Sequence, residues 1–136
     1  MTVVRGVFDM VTQQKSKNSI LIVDDDPKIG YIFSLSLKLA GYEAKSVQSG
    51  REAIPMLKNG DFDLVLLDVI MPQMNGFEVL SAIRDFSEIP VIVFTARSDV
   101  FETARQIGAT DFIGKPLTPE ALIKKIRNIL NSTAGK

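Results

Sequence analysis

The residues best placed to do chemistry are acidic, and they stand at the ends of apolar runs. Asp24, Asp25 and Asp26 follow Ser19-Ile20-Leu21-Ile22-Val23, and Asp68 follows Leu64-Val65-Leu66-Leu67. Two further apolar runs end in other polar groups. Ile89-Pro90-Val91-Ile92-Val93-Phe94 leads to Thr95-Ala96, and Thr110-Asp111-Phe112-Ile113-Gly114 leads to Lys115-Pro116. Asp24, Asp25 and Asp68 in one crevice would repel strongly, because two unit charges about 4 Å apart cost roughly 4 kcal/mol at an effective dielectric near 20. A cation relieves that cost, and carboxylate, carbonyl and water oxygens suit Mg²⁺ or Mn²⁺. With a hydroxyl and an ammonium added, the inventory suits a divalent cation and a phosphoryl group.

Such groups meet only if the elements carrying them are parallel strands. Short Leu- and Val-rich runs bounded by turn residues read as strands buried on both faces, as in parallel sheets. In open sheets of that kind ligands bind outside the carboxyl ends of the strands. The segments between the runs have helical spacing. Pro27 opens a helix with Ile29, Ile32, Phe33, Leu37 and Ala40 in its stripe, and Gly41 ends it. Glu43 to Val47 reads as the second strand. Ser49 and Glu52 form a capping box for the next helix, in which Pro55 predicts a kink or an early break. The central strand begins at Asp61 or Phe62. Asn75 caps a third helix ending near Asp85-Phe86, Ser98 or Asp99 caps a short fourth closed by Gly108, and Thr118 caps the last. Five strands alternating with five helices through short loops predict an α/β fold. It is a five-stranded parallel sheet, doubly wound as (βα)5, with flavodoxin-like strand order 2-1-3-4-5.

Composition narrows the chemistry. The 136 residues suit a single domain, with 46% hydrophobic and 24% charged residues. Sixteen basic residues balance sixteen acidic ones, so no global positive field draws nucleic acid. The chain has no cysteine and no histidine. That excludes a thiolate nucleophile, a disulfide framework and a Ser-His-Asp arrangement. No apolar run approaches the roughly 20 residues needed to span a bilayer, and no secretion signal opens the chain, which points to a cytoplasmic protein. Residues 1–18 read as a flexible N-terminal extension, or as a short segment that docks on the body or a second copy. Residues 19–131 form the domain, and residues 132–136 a C-terminal tail.

Taken in order, Asp24-Asp25, Asp68 with Met71-Pro72 and Gly76, Thr95-Ala96, and Lys115-Pro116 resemble the receiver domain of two-component response regulators, from about Ser19 to Leu130. The resemblance implies that Asp24 and Asp25 hold the metal and that Asp68 ligates it and is the phosphoacceptor. The Ile70 backbone carbonyl is implied as a further ligand. A carboxylate can attack phosphorus to form an aspartyl phosphate. Lys115 supplies an ammonium, Thr95 a hydroxyl donor and Ala96 a backbone N–H. Asp26 reads as a helix cap. The Lys115-Pro116 bond is implied to be cis, aiming the lysine into the crevice. Thr95 and Phe112 match the family's switch pair, Phe112 standing where a tyrosine is common. The output face of the fourth helix, fifth strand and fifth helix carries Arg105, Asp111, Lys124 and Arg127. Thr110-Asp111-Phe112 departs from the acidic pair and tyrosine of transcription-factor receivers, so a monomer or weak dimer is expected. Ile70 and Arg97 flank the acceptor, and an apolar Ile70 implies a moderately long-lived phosphate.

The implied function is a phosphorylation switch. It accepts a phosphoryl group from a histidine kinase or histidine phosphotransfer protein and signals to a downstream output protein or domain. It is not a turnover enzyme, and the chain contacts neither nucleic acid nor membrane. Taken singly, the same residues have plainer readings: caps at Asp24 and Asp68, a strand residue at Thr95, a surface lysine at Lys115. Three other functions compete. A phosphohydrolase would want a second aspartate at position 70. A flavin or nucleotide carrier would meet repulsion from Asp24-Asp25-Asp26. A degenerate receiver would act as an interaction module alone.

Overall fold

The computed structural model describes residues 17–71 and 75–134. Most of the N-terminal extension, Pro72 of the turn motif and the last two residues of the expected tail lie outside the described residues. The strands are β1 (Ser19–Val23), β2 (Glu43–Val47), β3 (Leu64–Leu67), β4 (Val91–Thr95) and β5 (Asp111–Gly114). The helices are α1 (Pro27–Leu39), α2 (Gly50–Asn59), α3 (Gly76–Arg84), α4 (Phe101–Ile107) and α5 (Pro119–Ala134), with a 3-10 turn at Ser98–Val100 before α4. All strand pairs are parallel and the order is β2-β1-β3-β4-β5, as expected.

The three inner strands are apolar except for Ser19 at the start of β1 and Thr95 at the end of β4, because helices cover both faces of the sheet. Leu21, Val23, Val65, Leu67, Val91 and Val93 face one helical layer with Val79, Leu80 and Ile83 of α3. Ile20, Ile22, Leu64, Leu66, Ile92 and Phe94 face the other, with Phe33 and Leu37 of α1 and Leu122 and Ile126 of α5. Alternate residues serve opposite cores, as the two-residue repeat of a strand requires.

Strand starts differ from expectation for local reasons. The Asp63 carboxylate accepts from the Ser19 N–H at 2.8 Å, so that residue tethers β1 and β3 begins at Leu64. Pro90 has no N–H to donate and only accepts, from the Val65 N–H, so β4 begins at Val91. Of the kink or early break expected at Pro55, the break does not occur, and α2 is continuous from Gly50 to Asn59. Pro55 removes the donor to Arg51, and both residues are exposed, so water can serve the orphaned carbonyl. The cap of the fourth helix is also corrected. Neither Ser98 nor Asp99 caps it: both lie in the 3-10 turn, Asp99 pairs with Arg97, and Val100 precedes α4 with no side-chain cap. The other caps are as expected. Asp26, Ser49, Asn75 and Thr118 each accept a backbone N–H of the first turn. The last helix runs to Ala134, past the tail boundary expected at 131.

Arg84 ends α3 and pins the base of the molecule. Its guanidinium donates to the carbonyls of Gly108 at 2.9 Å, Ile89 at 2.8 Å and Ser87 at 3.1 Å. It therefore joins the end of α3 to the C-terminal end of α4.

Candidate functional site

Three strands deliver three polar side chains into the interior at their carboxyl ends. Asp24 follows β1, Asp68 follows β3 and Thr95 ends β4, and these are the only buried polar residues among those described. Asp25 follows Asp24 but is exposed, so it stands at the rim. Carboxylate oxygens of Asp24, Asp25 and Asp68 lie within 4.8 Å of one another. Two turns fix the buried acids. The Asp24 carboxylate accepts from the Asp26 N–H at 2.8 Å, and the Asp68 carboxylate from the Ile70 N–H at 2.9 Å. Each uses one oxygen on its own turn and leaves the other for the crevice.

Those second oxygens share one cation. Lys115 Nζ is 2.9 Å from Asp24 Oδ2 and 2.9 Å from Asp68 Oδ2. The pairing with Asp68 is the one expected, while the pairing with Asp24 is new. In the strand order, β3 and β4 separate β1 from β5. The Lys115 ammonium lies 4.6 Å from the centre of the Phe94 ring, which gives it an aromatic floor on β4. Phe94 was overlooked as a site residue, and its only sequence signal is its place before Thr95. The Lys115-Pro116 bond is cis.

The electrostatics are poised. Burial pushes the Asp68 carboxyl above the ordinary carboxylate range despite the opposing hydrogen bonds from Lys115 and Ile70. Burial alone would lower Lys115, but the two carboxylates outweigh it and hold the ammonium above its ordinary value. Three carboxylates and one ammonium leave a formal charge of −2. The charge count and the hard oxygen donors therefore fit one divalent cation such as Mg²⁺. Asp26 takes no part, since its side chain caps α1 as expected.

The remaining predicted residues lie around this centre. The Thr95 hydroxyl accepts from the Arg97 N–H at 3.4 Å, and the Thr95 carbonyl accepts from the Lys115 N–H at 2.9 Å. Ala96 is exposed beside it. Ile70 is 38% exposed, so its side chain stands at the rim. The close approach behind Asp68 depends on Gly76. Its N–H donates to the Val69 carbonyl, and a Cβ there would sit 2.2 Å from Val69 Cα. Phe112 is half-buried and packs on Phe101 of α4, with ring centres 5.1 Å apart, so it links β5 to α4. On the expected output face, Arg105 pairs with Glu102, and Asp111 with Lys125 at 3.2 Å.

Comparison with known proteins gives one answer. Residues 20–127 match the response regulator receiver domain family. The chain is 38% identical over 120 residues to a probable transcriptional regulator ycf27 of Cyanidium caldarium, covering 87% of this chain and 48% of that protein. It is likewise 38% identical over 120 residues to a transcriptional regulatory protein CpxR homolog of Haemophilus influenzae, covering 87% and 52%. The chain thus spans about half the length of these curated relatives. Among solved structures, a CheY-like receiver domain protein from Methanospirillum hungatei JF-1 superposes with a TM-score of 0.81 at 30% identity, covering 88% of this chain and 98% of that one. Chemotaxis protein CheY4 of Vibrio cholerae superposes at 0.76 with 33% identity, covering 82% and 98%. The chain therefore belongs to the response regulator receiver domain family and is a receiver domain of two-component signalling.

Proposed function

We propose that this receiver is a phosphorylation switch whose acceptor is Asp68. The observation that carries the reading is the bridging of Asp24 and Asp68 by Lys115 within a cluster that includes Asp25. Asp24, Asp25 and Asp68, with the Ile70 carbonyl, would hold Mg²⁺ or Mn²⁺, which supplies charge cancellation on the transferring oxygens. An Asp68 oxygen attacks the phosphorus of a partner's phosphohistidine. The phosphorus–nitrogen bond breaks, and its electron pair returns to the imidazole. Asp68 needs no base, because it reacts as the carboxylate. Lys115 exchanges part of its contact with Asp68 for the arriving phosphoryl oxygens. Thr95 can turn its hydroxyl from the Arg97 N–H to donate to the same group, and the Ala96 N–H adds a second donor. Phe112 then carries the change at Thr95 toward α4 through Phe101.

In this reading the chain is a stoichiometric acceptor and not a turnover enzyme. The phosphodonor is a histidine kinase or histidine phosphotransfer protein. The output protein or domain is reached through the α4–β5–α5 surface in the cytoplasm, and this chain touches no nucleic acid itself. The name of the relatives as transcriptional regulators supports an output of that kind. Among the described residues no helix is long and apolar enough to cross a membrane.

The test is intact mass after incubation with acetyl phosphate, with and without Mg²⁺, on wild type and Asp68→Asn. The expected result is a Mg²⁺-dependent gain of one phosphoryl group in wild type alone. A folded, metal-binding wild type that gains nothing would overturn the switch and leave an interaction module.

A further inference from the structure

The outer face of α1 is apolar where contact with water favours polar residues. Its inner face is Gly30, Phe33 and Leu37, all buried. On the opposite side stand Lys28, Ile32, Leu35 and Leu39, with Tyr31 beside them. Tyr31 is 69% exposed, Ile32 51%, Leu35 47% and Leu39 82%. Steps of four, three and four residues from Lys28 to Leu39 make the seam of a pair of helices. Together the four apolar side chains present about 450 Å², the size of the largest patch on a typical monomer, and such patches are often functional.

The same helix carries a socket that fits its own most exposed side chain. An apolar cavity of about 480 Å³ lies beside the first half of α1, lined by Ile29, Ile32 and Phe33 together with Ala96, Lys115 and Leu117. Leu39 stands ten residues after Ile29. Knob and socket are therefore about 15 Å apart along one rod, too far to meet within a chain. Two α1 helices laid antiparallel about a two-fold axis bring each Leu39 to the partner's socket at once. Charge selects the same direction. A parallel pair sets Lys28 against the partner's Lys28. An antiparallel pair sets it beside the last turn of the partner's α1, where the carbonyl ends are negative.

We propose that the outer face of α1 binds a second copy of this chain. The two α1 helices pair antiparallel, with Ile32 opposite the partner's Leu35 and Leu39 in the partner's apolar cavity. The pair buries about 1,000 Å² in all, which is small for a specific interface, so the dimer is weak and forms as concentration rises. This face is distinct from the α4–β5–α5 surface. Because Ala96 and Lys115 line the socket, the pairing also covers that flank of the acidic site.

Sedimentation equilibrium of the full chain between about 10 μM and 1 mM spans the affinities expected of so small an interface. Wild type should pass from monomer to dimer. Leu39→Asp should raise the dissociation constant by at least about tenfold, since each dimer loses two buried leucines. Leu39 is so exposed in the monomer that the change leaves the fold intact. Arg105→Glu, on α4, should leave the constant unchanged. Direction is read from single-cysteine variants, which a chain without natural cysteine permits. An oxidised mixture of Ile32→Cys and Leu35→Cys should hold more mixed disulfide than the statistical half. A monomer throughout would overturn the proposal and leave the face to a helix of another protein. A dimer weakened by Arg105→Glu and not by Leu39→Asp would overturn it in favour of pairing elsewhere. So would an excess of either homodisulfide, which the antiparallel register forbids.

Discussion

At Asp68, the proposed reactivity and the stability of the fold oppose one another. Its carboxylate is buried and its acidity is weakened chiefly by that burial. A group whose folded pKa is raised above its ordinary value of 3.8 supports folding below that value and withdraws support as pH rises through the shifted one. Without metal, Asp68→Asn should therefore be more stable than wild type at pH 7 by about 0.5–2 kcal/mol, with a smaller gap at pH 4. Urea unfolding at both pH values with a chelator present checks this, and a gap that shrinks as pH rises would contradict it. The individual site residues were legible because each ends an apolar run. The sharing of Lys115 between Asp24 and Asp68 was not, because reach across two intervening strands is a property of side-chain length and three-dimensional placement, not of spacing.

Among the elements, the junction from β3 to α3 is the tightest. Gly76 N–H bonds the Val69 carbonyl, and no side chain fits against Val69. Gly76→Ala must push the start of α3 away from Asp68. A loss of about 3 kcal/mol is expected in chemical unfolding, with a weakened response to Mg²⁺. Capping explains which element boundaries could be read. Asn75 and Thr118 announce their helices because a short polar side chain ahead of an apolar stripe has few other uses. The fourth helix gave a false signal, since Asp99 bonds Arg97 instead of the helix. Pro55 misled in the opposite sense, because the cost of a helix proline falls when the orphaned carbonyl lies on the wet side.

For the whole molecule, a net −2 formal charge is held at one end of a neutral chain. Mg²⁺ at about a hundred times its dissociation constant should add about 2.7 kcal/mol to the fold. Lys115→Met removes the internal cation and leaves Asp24 and Asp68 facing one another. It should lose about 1–3 kcal/mol in chelator and respond more strongly to Mg²⁺ than wild type, as thermal unfolding across a Mg²⁺ titration can show. Layering was legible because strands buried on both faces and joined by short right-handed connections need helices on both sides of the sheet, and 2-1-3-4-5 is one of the common doubly wound orders that result.

The attachment of α4 has a mechanical consequence. Its C-terminal end is held through Gly108 by the Arg84 guanidinium, while its N-terminal end follows a 3-10 turn and has no side-chain cap. A rod clamped at one end and loose at the other is a lever, and its fulcrum here is the end remote from Asp68. A displacement that enters at Thr95 should appear as a tilt. Chemical-shift changes on phosphorylation should then decline steadily from Val100 to Gly108, and in Arg84→Met the gradient should flatten as the pivot gives way.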